Sequence, residues 1–171
     1  MYYMETFQVM NEELIGIASD FGLVFLGTRS AGEAFVKKHQ INKIINKENQ
    51  IFQELNEWLD AYEKQEPRPR LFKLELMQEV TIFQKEVWRA MEEIPYGASC
   101  SYQDIAKKIK NPRAVQAVGT AIGKNPWLLL VPCHRVLRKT DEIGGFSAVL
   151  DLKRKLLAHE KINFVENIGD R

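Results

Sequence analysis

The sequence predicts an α+β protein in two parts. The first, residues 1–78, is a small α/β domain of a short antiparallel sheet plus helices. The second, residues 79–171, is mostly helical and contains a helix-turn-helix. Three observations support this reading. Short apolar runs broken by a turn occupy the first 27 residues. Helical periodicity with clear start signals dominates from Thr81 onward. Between them lies Lys64-Gln-Glu-Pro-Arg-Pro-Arg70, where two prolines among charges bar a helix and favour an extended connector.

In order, Thr6–Met10 and Leu14–Ala18 read as strands, Asp20-Phe21-Gly22 as a turn, and Leu23–Gly27 as the returning strand. Glu48–Lys64 reads as a helix, with Ile51, Phe52, Leu55, Trp58, Leu59 and Tyr62 on one stripe. Thr81-Ile-Phe-Gln84 matches a capping box, followed by Phe83, Val87, Met91 and Ile94 at helical spacing. Pro95-Tyr-Gly97 ends that helix. Ser101-Tyr-Gln-Asp104 caps a short helix reaching Ile109. Asn111-Pro112 reads as N-cap and first helical residue of a helix running to Lys124, with Ala114, Val115, Val118, Ala121 and Ile122 on its apolar side. Asp151–Glu160 reads as the last helix.

The 171 residues are 45 % hydrophobic and 27 % charged, which excludes a disordered chain, a collagen-like fibre and a disulfide scaffold. No run approaches the ~20 apolar residues that cross a bilayer, so no membrane partner is expected. The N-terminus has neither a basic nor an apolar leader region, and the two cysteines imply no disulfide framework. A reducing, cytoplasmic setting is expected. The net charge of +1 hides an asymmetry: residues 1–66 hold 11 acidic and 6 basic side chains, residues 67–171 hold 12 and 18. In 100–140, Lys107, Lys108, Lys110, Arg113, Lys124, Arg135, Arg138 and Lys139 face only Asp104. A basic stretch of this kind attracts polyanions, nucleic acid among them.

The chemistry concentrates in Asn125-Pro-Trp-Leu-Leu-Leu-Val-Pro-Cys-His-Arg-Val136. An apolar run delivers Cys133, His134 and Arg135 behind Pro132, whose ring limits the backbone. A cysteine is a nucleophile as thiolate, and an imidazole oriented by a carboxylate can take its proton. Adjacent side chains on an extended segment point apart, so Cys133 and His134 need a turn or a bridging water to communicate. Cys133 reads equally as a small buried hydrophobe. Cys-x-x-Cys and His-x-x-x-His spacings are absent, so no metal site is expected. Val149, Leu152, Leu156 and Glu160 share one helical stripe, which leaves Glu160 either at a frayed end in water or against a buried partner. Cys100 reads as structural.

Pro132-Cys133-His134-Arg135-Val136 resembles the signature of the O6-alkylguanine-DNA alkyltransferases, the methylated-DNA–protein-cysteine methyltransferases. Ile94-Pro-Tyr-Gly97, Ser101-Tyr-Gln-Asp-Ile-Ala106, Ala117-Val-Gly119, Asn125-Pro126 and Leu156-Leu-Ala-His-Glu160 resemble further blocks of that family, in order. The likeness covers residues 80–160 closely; the N-terminal part is similar only in size and strand–helix order.

The resemblance implies a ribonuclease-H-like N-terminal domain, a winged helix-turn-helix C-terminal domain, no cofactor, and a monomer acting on double-stranded DNA that contains O6-alkylguanine. It implies single-turnover transfer of the alkyl group, less efficiently from O4-alkylthymine, to Cys133. His134 is then the base acting through a water, Glu160 the carboxylate that orients it, and Asn125 a brace for the turn. It implies that the helix Pro112–Lys124 enters the minor groove, with small Ala114, Ala117, Gly119 and Ala121 allowing close approach, and that the base is flipped out. Tyr102 turns the nucleotide, Ser147 lies near O6, and the carbonyls of Cys133 and Val136 accept from the guanine amino group. Arg135 is carried with the DNA-binding residues. The chain departs from the pattern at Gln116, where the family commonly has an arginine, with Arg113 one turn earlier. It departs also at Phe146, which keeps the ring of a family tyrosine without its hydroxyl, and at Ala148. Two other readings use the same helices. A lesion binder without transfer is opposed by the presence of Cys133. A sequence-reading regulator has only Arg113, Gln116 and Lys124 as long polar side chains on the helix.

Overall fold

A computed structural model describes residues 1–144 and 149–167. The chain forms two compact units: Met1–Gln78 with Pro126–Leu128, and Glu79–Asn125 with Leu129 onward. The inclusion of 126–128 in the first unit has no counterpart in the sequence reading.

In the first unit β1 (Tyr2–Val9) and β2 (Glu12–Ser19) form an antiparallel hairpin in register Tyr2↔Ser19 to Val9↔Glu12. β1 starts before the expected Thr6, since its half-exposed start lacks alternation, and ends one residue before Met10, while β2 extends beyond Leu14–Ala18 at both ends. Met10 and Asn11 turn the chain with φ of 51° and 63°, the left-handed pair that matches strand twist. β3 (Leu23–Gly27) pairs antiparallel with β2, and the two-residue β4 (Ile44–Ile45) pairs parallel with β1, giving the order β3-β2-β1-β4.

β2 is buried from Leu14 to Ser19, so helices cover both of its faces. On one, α2 (Gln50–Glu63), capped by Asn49, sets Phe52 edge-on to Phe7 at 5.6 Å. Gly16 is needed there, since a Cβ would lie 2.7 Å from the Phe7 ring. On the other, α1 (Arg29–Lys38) packs Phe35 and Val36 on Ile15, Ile17, Val24 and Phe25. The sequence reading missed α1. Its central Gly32 argues against a helix; in the structure Gly32 is buried, and a Cβ there would meet Phe25 and Ile15 at 3.4–3.5 Å, ordinary contact. Residues 126–128 line the free edge of β3: Leu26 N–H donates to Pro126 O, Leu128 N–H to Leu26 O, and Trp127 Nε1 to Leu23 O, each at 2.8 Å.

In the second unit α3 (Ile82–Glu92) starts at a reciprocal capping box of Thr81 and Gln84. β5 (Cys100–Ser101) leads into α4 (Tyr102–Lys108), which has a second such box from Ser101 and Asp104. α5 (Val115–Gly123) packs on both helices, and Trp88 Nε1 ties α3 to it through Ala121 O at 2.9 Å. The expected start of α5 at Asn111-Pro112 is corrected. Ala114 is the N-cap, with no side-chain cap bond, and Ala114 N–H donates to Asn111 O at 3.0 Å. Lys110, at φ 61°, breaks the chain direction, so Asn111–Arg113 close a turn rather than begin the helix. A 3₁₀ turn (Cys133–Arg135) runs into β6 (Val136–Leu137), which pairs parallel with β5. α6 (Leu150–His159) places Leu157 against Leu137, Ile143 and Ile162. Among the described residues no helix is long and apolar enough to cross a membrane.

The box at Ser101 sets where α4, and with it Tyr102, begins. Ser101→Ala should lower unfolding stability by about 1 kcal/mol in denaturant titration; an unchanged midpoint would contradict the assigned cap.

Candidate active site around Cys133

Cys133 opens the 3₁₀ turn, half-buried and with its sulfur unbridged, as is that of Cys100. The turn resolves the difficulty expected of an extended segment, since adjacent side chains no longer point to opposite faces. Its shape is held from several sides. Cys133 N–H donates to Val131 O at 2.7 Å, and Asn125 Nδ2 donates to the same carbonyl at 2.8 Å. The Asn125 amide also hydrogen-bonds Cys133.

The next two residues are buried. His134 is 1 % exposed and Glu160, the C-cap of α6, is 4 % exposed. His134 Nε2 hydrogen-bonds Glu160 Oε2. Glu160 Oε1 accepts from Gly97 N–H at 3.0 Å and from Arg135 Nε at 2.8 Å. Arg135 Nη1 in turn donates to Ile94 O at 2.8 Å, and its guanidinium lies 5.8 Å from the Tyr96 ring centroid. The Ile94–Gly97 turn after α3 thus supplies a carbonyl, a ring and an N–H to one cluster.

These bonds decide protonation. Burial alone would raise the Glu160 carboxyl, but donation from His134, Gly97 and Arg135 prevails and brings it down to about 2. An ionised carboxylate only accepts, so His134 carries its proton on Nε2. Burial holds His134 below its ordinary range, against the pull of Glu160, so the ring is neutral. Nδ1 is buried and has no partner among the described residues. It is therefore the basic nitrogen. Burial also pushes the Cys133 thiol up, opposed first by Asn125 and then by Lys153. A thiol raised in this way needs a base to become a nucleophile.

Tyr102, at the start of α4, joins the site. A Cβ on Gly119 of α5 would lie 3.8 Å from its ring, and one on Gly144 would lie 3.1 Å from its hydroxyl. Burial raises the Tyr102 hydroxyl, and the charge of Cys133 raises it further. Gly144 has φ 58°, a conformation side chains disfavour. Arg113, Gln116, Ala117 and Thr120 are exposed at i, i+3, i+4 and i+7, forming one face of α5 and the turn before it. Phe146 and Ser147 lie outside the described residues.

Arg135 is 9 % exposed, with Nε donating to Glu160 and Nη1 to Ile94. The Val136 carbonyl accepts from Lys153 Nζ at 3.0 Å and has a second lone pair. Lys153 was not singled out from sequence, yet it lies on the Val149–Leu152–Leu156–Glu160 stripe and is 8 % exposed. A lysine on an otherwise inward stripe was the available signal. Burial draws its ammonium down to about 8. Cys100 is pushed up to about 11 by burial and is correspondingly unreactive. Among the described residues no three His, Cys, Asp or Glu side chains are grouped to hold a metal ion.

Glu160→Gln would leave the buried Arg135 without its counter-ion and should cost about 3–5 kcal/mol of stability at neutral pH. Because the folded carboxyl lies near 2 and its ordinary value is 4.5, the wild type keeps this contribution above 4.5 and loses it as pH falls toward 2. Urea unfolding across that window checks both: the variant should lack this acid-side slope.

The family description "6-O-methylguanine DNA methyltransferase, DNA binding domain" matches residues 82–162. The methylated-DNA–protein-cysteine methyltransferase of Methanosarcina acetivorans is 43 % identical over 111 residues, covering 65 % of this chain and 70 % of that protein. The crystal structure of Mycobacterium tuberculosis O6-methylguanine methyltransferase superposes with a TM-score of 0.79 at 31 % identity, covering 94 % of this chain and 93 % of that one. That organism's OGT in complex with DNA gives a TM-score of 0.76 at 31 % identity, covering 94 % and 92 %. With Cys133 beside a buried His134–Glu160 pair inside the matched segment, the chain belongs to the methylated-DNA–protein-cysteine methyltransferase family.

Proposed function

We propose that the protein repairs DNA by direct reversal, moving the alkyl group of O6-alkylguanine, and less efficiently of O4-alkylthymine, irreversibly onto Cys133. The observation that carries this reading is the orientation of His134. Glu160 holds the proton on Nε2, so Nδ1 is free to take the Cys133 proton through a water. The thiolate then attacks the alkyl carbon. A sulfur–carbon bond forms, the carbon–O6 bond breaks, and its electron pair stays on the guanine oxygen. The product thioether has no good leaving group, so each chain acts once.

The reacting carbon is inaccessible inside a stacked duplex, so the nucleotide is flipped out. α5 enters the minor groove through the face of Arg113, Gln116 and Ala117, where degenerate readout suits repair at any sequence. Gly119 allows close approach, Tyr102 turns the nucleotide, and Val136 O accepts from the guanine amino group. By the family resemblance Phe146 and Ser147 are further contacts of the flipped base. Gln116 is shorter than the arginine common in the family and uncharged, so Arg113 shares the work of filling the gap. Residues 1–78 form a ribonuclease-H-like domain and residues 79–171 a winged helix-turn-helix domain, as the family resemblance implies. The protein works as a cytoplasmic monomer without a cofactor.

Intact mass after incubation with a duplex carrying one O6-methylguanine tests the reading. The expected result is one added methyl per chain, mapped to Cys133, and none in Cys133→Ala despite retained duplex binding. Methyl transfer by Cys133→Ala would refute the acceptor. Bound duplex with unmodified wild type would instead indicate a lesion binder.

A further inference from the structure

We propose that Asn167 is a positioning residue for alkyl transfer: by accepting from the Gly144 N–H it holds the backbone wall on which the Tyr102 hydroxyl rests. The proposal rests on Tyr102 and Cys133 acting on a flipped nucleotide as described above. The Tyr102 ring stands between two glycines of its own unit. A Cβ on Gly119 would lie 3.8 Å from Cδ1 and 3.9 Å from Cε1, whereas one on Gly144 would lie 3.1 Å from the hydroxyl and 3.5 Å from Cε2. One edge of the ring therefore faces α5, and the other edge, with the hydroxyl, faces the backbone at Gly144. The Gly119 wall belongs to a helix and is fixed by helical hydrogen bonds. The Gly144 wall lies outside any helix, so its position is set by other contacts.

The C-terminal segment supplies them. Phe164 packs on the cluster of Leu137, Ile143, Leu157 and Ile162. Val165 bridges Glu142: its N–H donates to Asp141 O and its carbonyl accepts from Ile143 N–H, each at 2.8 Å. Glu166 takes both prongs of the Arg154 guanidinium from α6, Nε at 2.7 Å and Nη2 at 2.8 Å. Asn167 Oδ1 then accepts from Gly144 N–H at 2.9 Å. Four successive residues thus fasten the segment to α6 and to the backbone of 141–144. Gly144 is buried, and a buried N–H that loses its acceptor is costly, so the backbone would shift to find another. Its φ of 58° is one that glycine adopts as readily as others, and the bond to Asn167 selects it. A shift there moves the wall and Tyr102 with it. The Cys133 turn keeps its own bonds at Val131 O, so the role of Asn167 is in placing the nucleotide rather than in the chemistry of the thiol.

The test compares wild type, Asn167→Leu and Asn167→Asp. Three quantities are read: affinity for an undamaged duplex, the single-turnover rate of methyl transfer from saturating duplex carrying one O6-methylguanine, and the rate at which iodoacetamide alkylates Cys133. Asn167→Leu is expected to transfer roughly tenfold more slowly, since a small misplacement of a positioned group is costly in rate. Its duplex affinity and iodoacetamide rate should match wild type. Asn167→Asp keeps the acceptor and should recover most of the transfer rate. Equal transfer by Asn167→Leu and wild type overturns the proposal, as does a parallel fall in the iodoacetamide rate or a failure of Asn167→Asp to recover. An independent measurement needs no variant: the Gly144 N–H should exchange slowly in deuterated water, and fast exchange overturns the proposal. Wild type that leaves the duplex unrepaired refutes the acceptor reading and the positioning role with it. Normal transfer by wild type and by Asn167→Leu alike refutes the positioning role alone.

Discussion

The site depends on one buried carboxylate. Glu160 sits at the end of α6 and receives donors from the turn after α3 and from two consecutive residues of the Cys133 turn. A lone carboxylate in that position would be expelled or protonated. Three donors make it a stable anion, and a stable anion fixes the His134 tautomer. The basic nitrogen thus follows from Glu160, and Glu160 follows from the Ile94–Gly97 turn and Arg135.

The surrounding structure serves that arrangement. Two capping boxes set the starts of α3 and α4, and the packing of α5 against both carries the chain to Asn125, which braces the turn. Pro132, the Val131 carbonyl and the β5–β6 pairing then leave the backbone little freedom on either side of Cys133. The nucleophile is held on a short turn at the junction of helix and strand. The exposed face of α5 and the Tyr102 ring belong to the same unit.

Legibility in the sequence followed the range of the interactions. The capping boxes at Thr81 and Ser101 and the stripes of α2, α3 and α6 were readable, because each signal lies within one or two helical turns. α1 was not, since Gly32 lowers helix propensity and the packing of Phe35 and Val36 on the sheet is visible only in three dimensions. The start of α5 was misplaced because Asn111-Pro112 satisfies the local pattern while Lys110 turns the chain. In the site, Cys133 and His134 stood out by motif, and Glu160 by its place on an apolar stripe. Arg135 was carried with the DNA contacts because a basic residue in a basic stretch gives no local sign of burial. Lys153 shared the stripe with Glu160, but nothing nearby in sequence marked its partner, the Val136 carbonyl.

The central claim is that burial keeps His134 neutral while Glu160 holds its proton on Nε2, leaving Nδ1 as the base. Nitrogen NMR of the His134 ring in the unreacted protein near neutral pH tests it directly. The account requires a protonated Nε2 and an unprotonated Nδ1. A proton on Nδ1, whether in the other neutral tautomer or in the imidazolium, would contradict it.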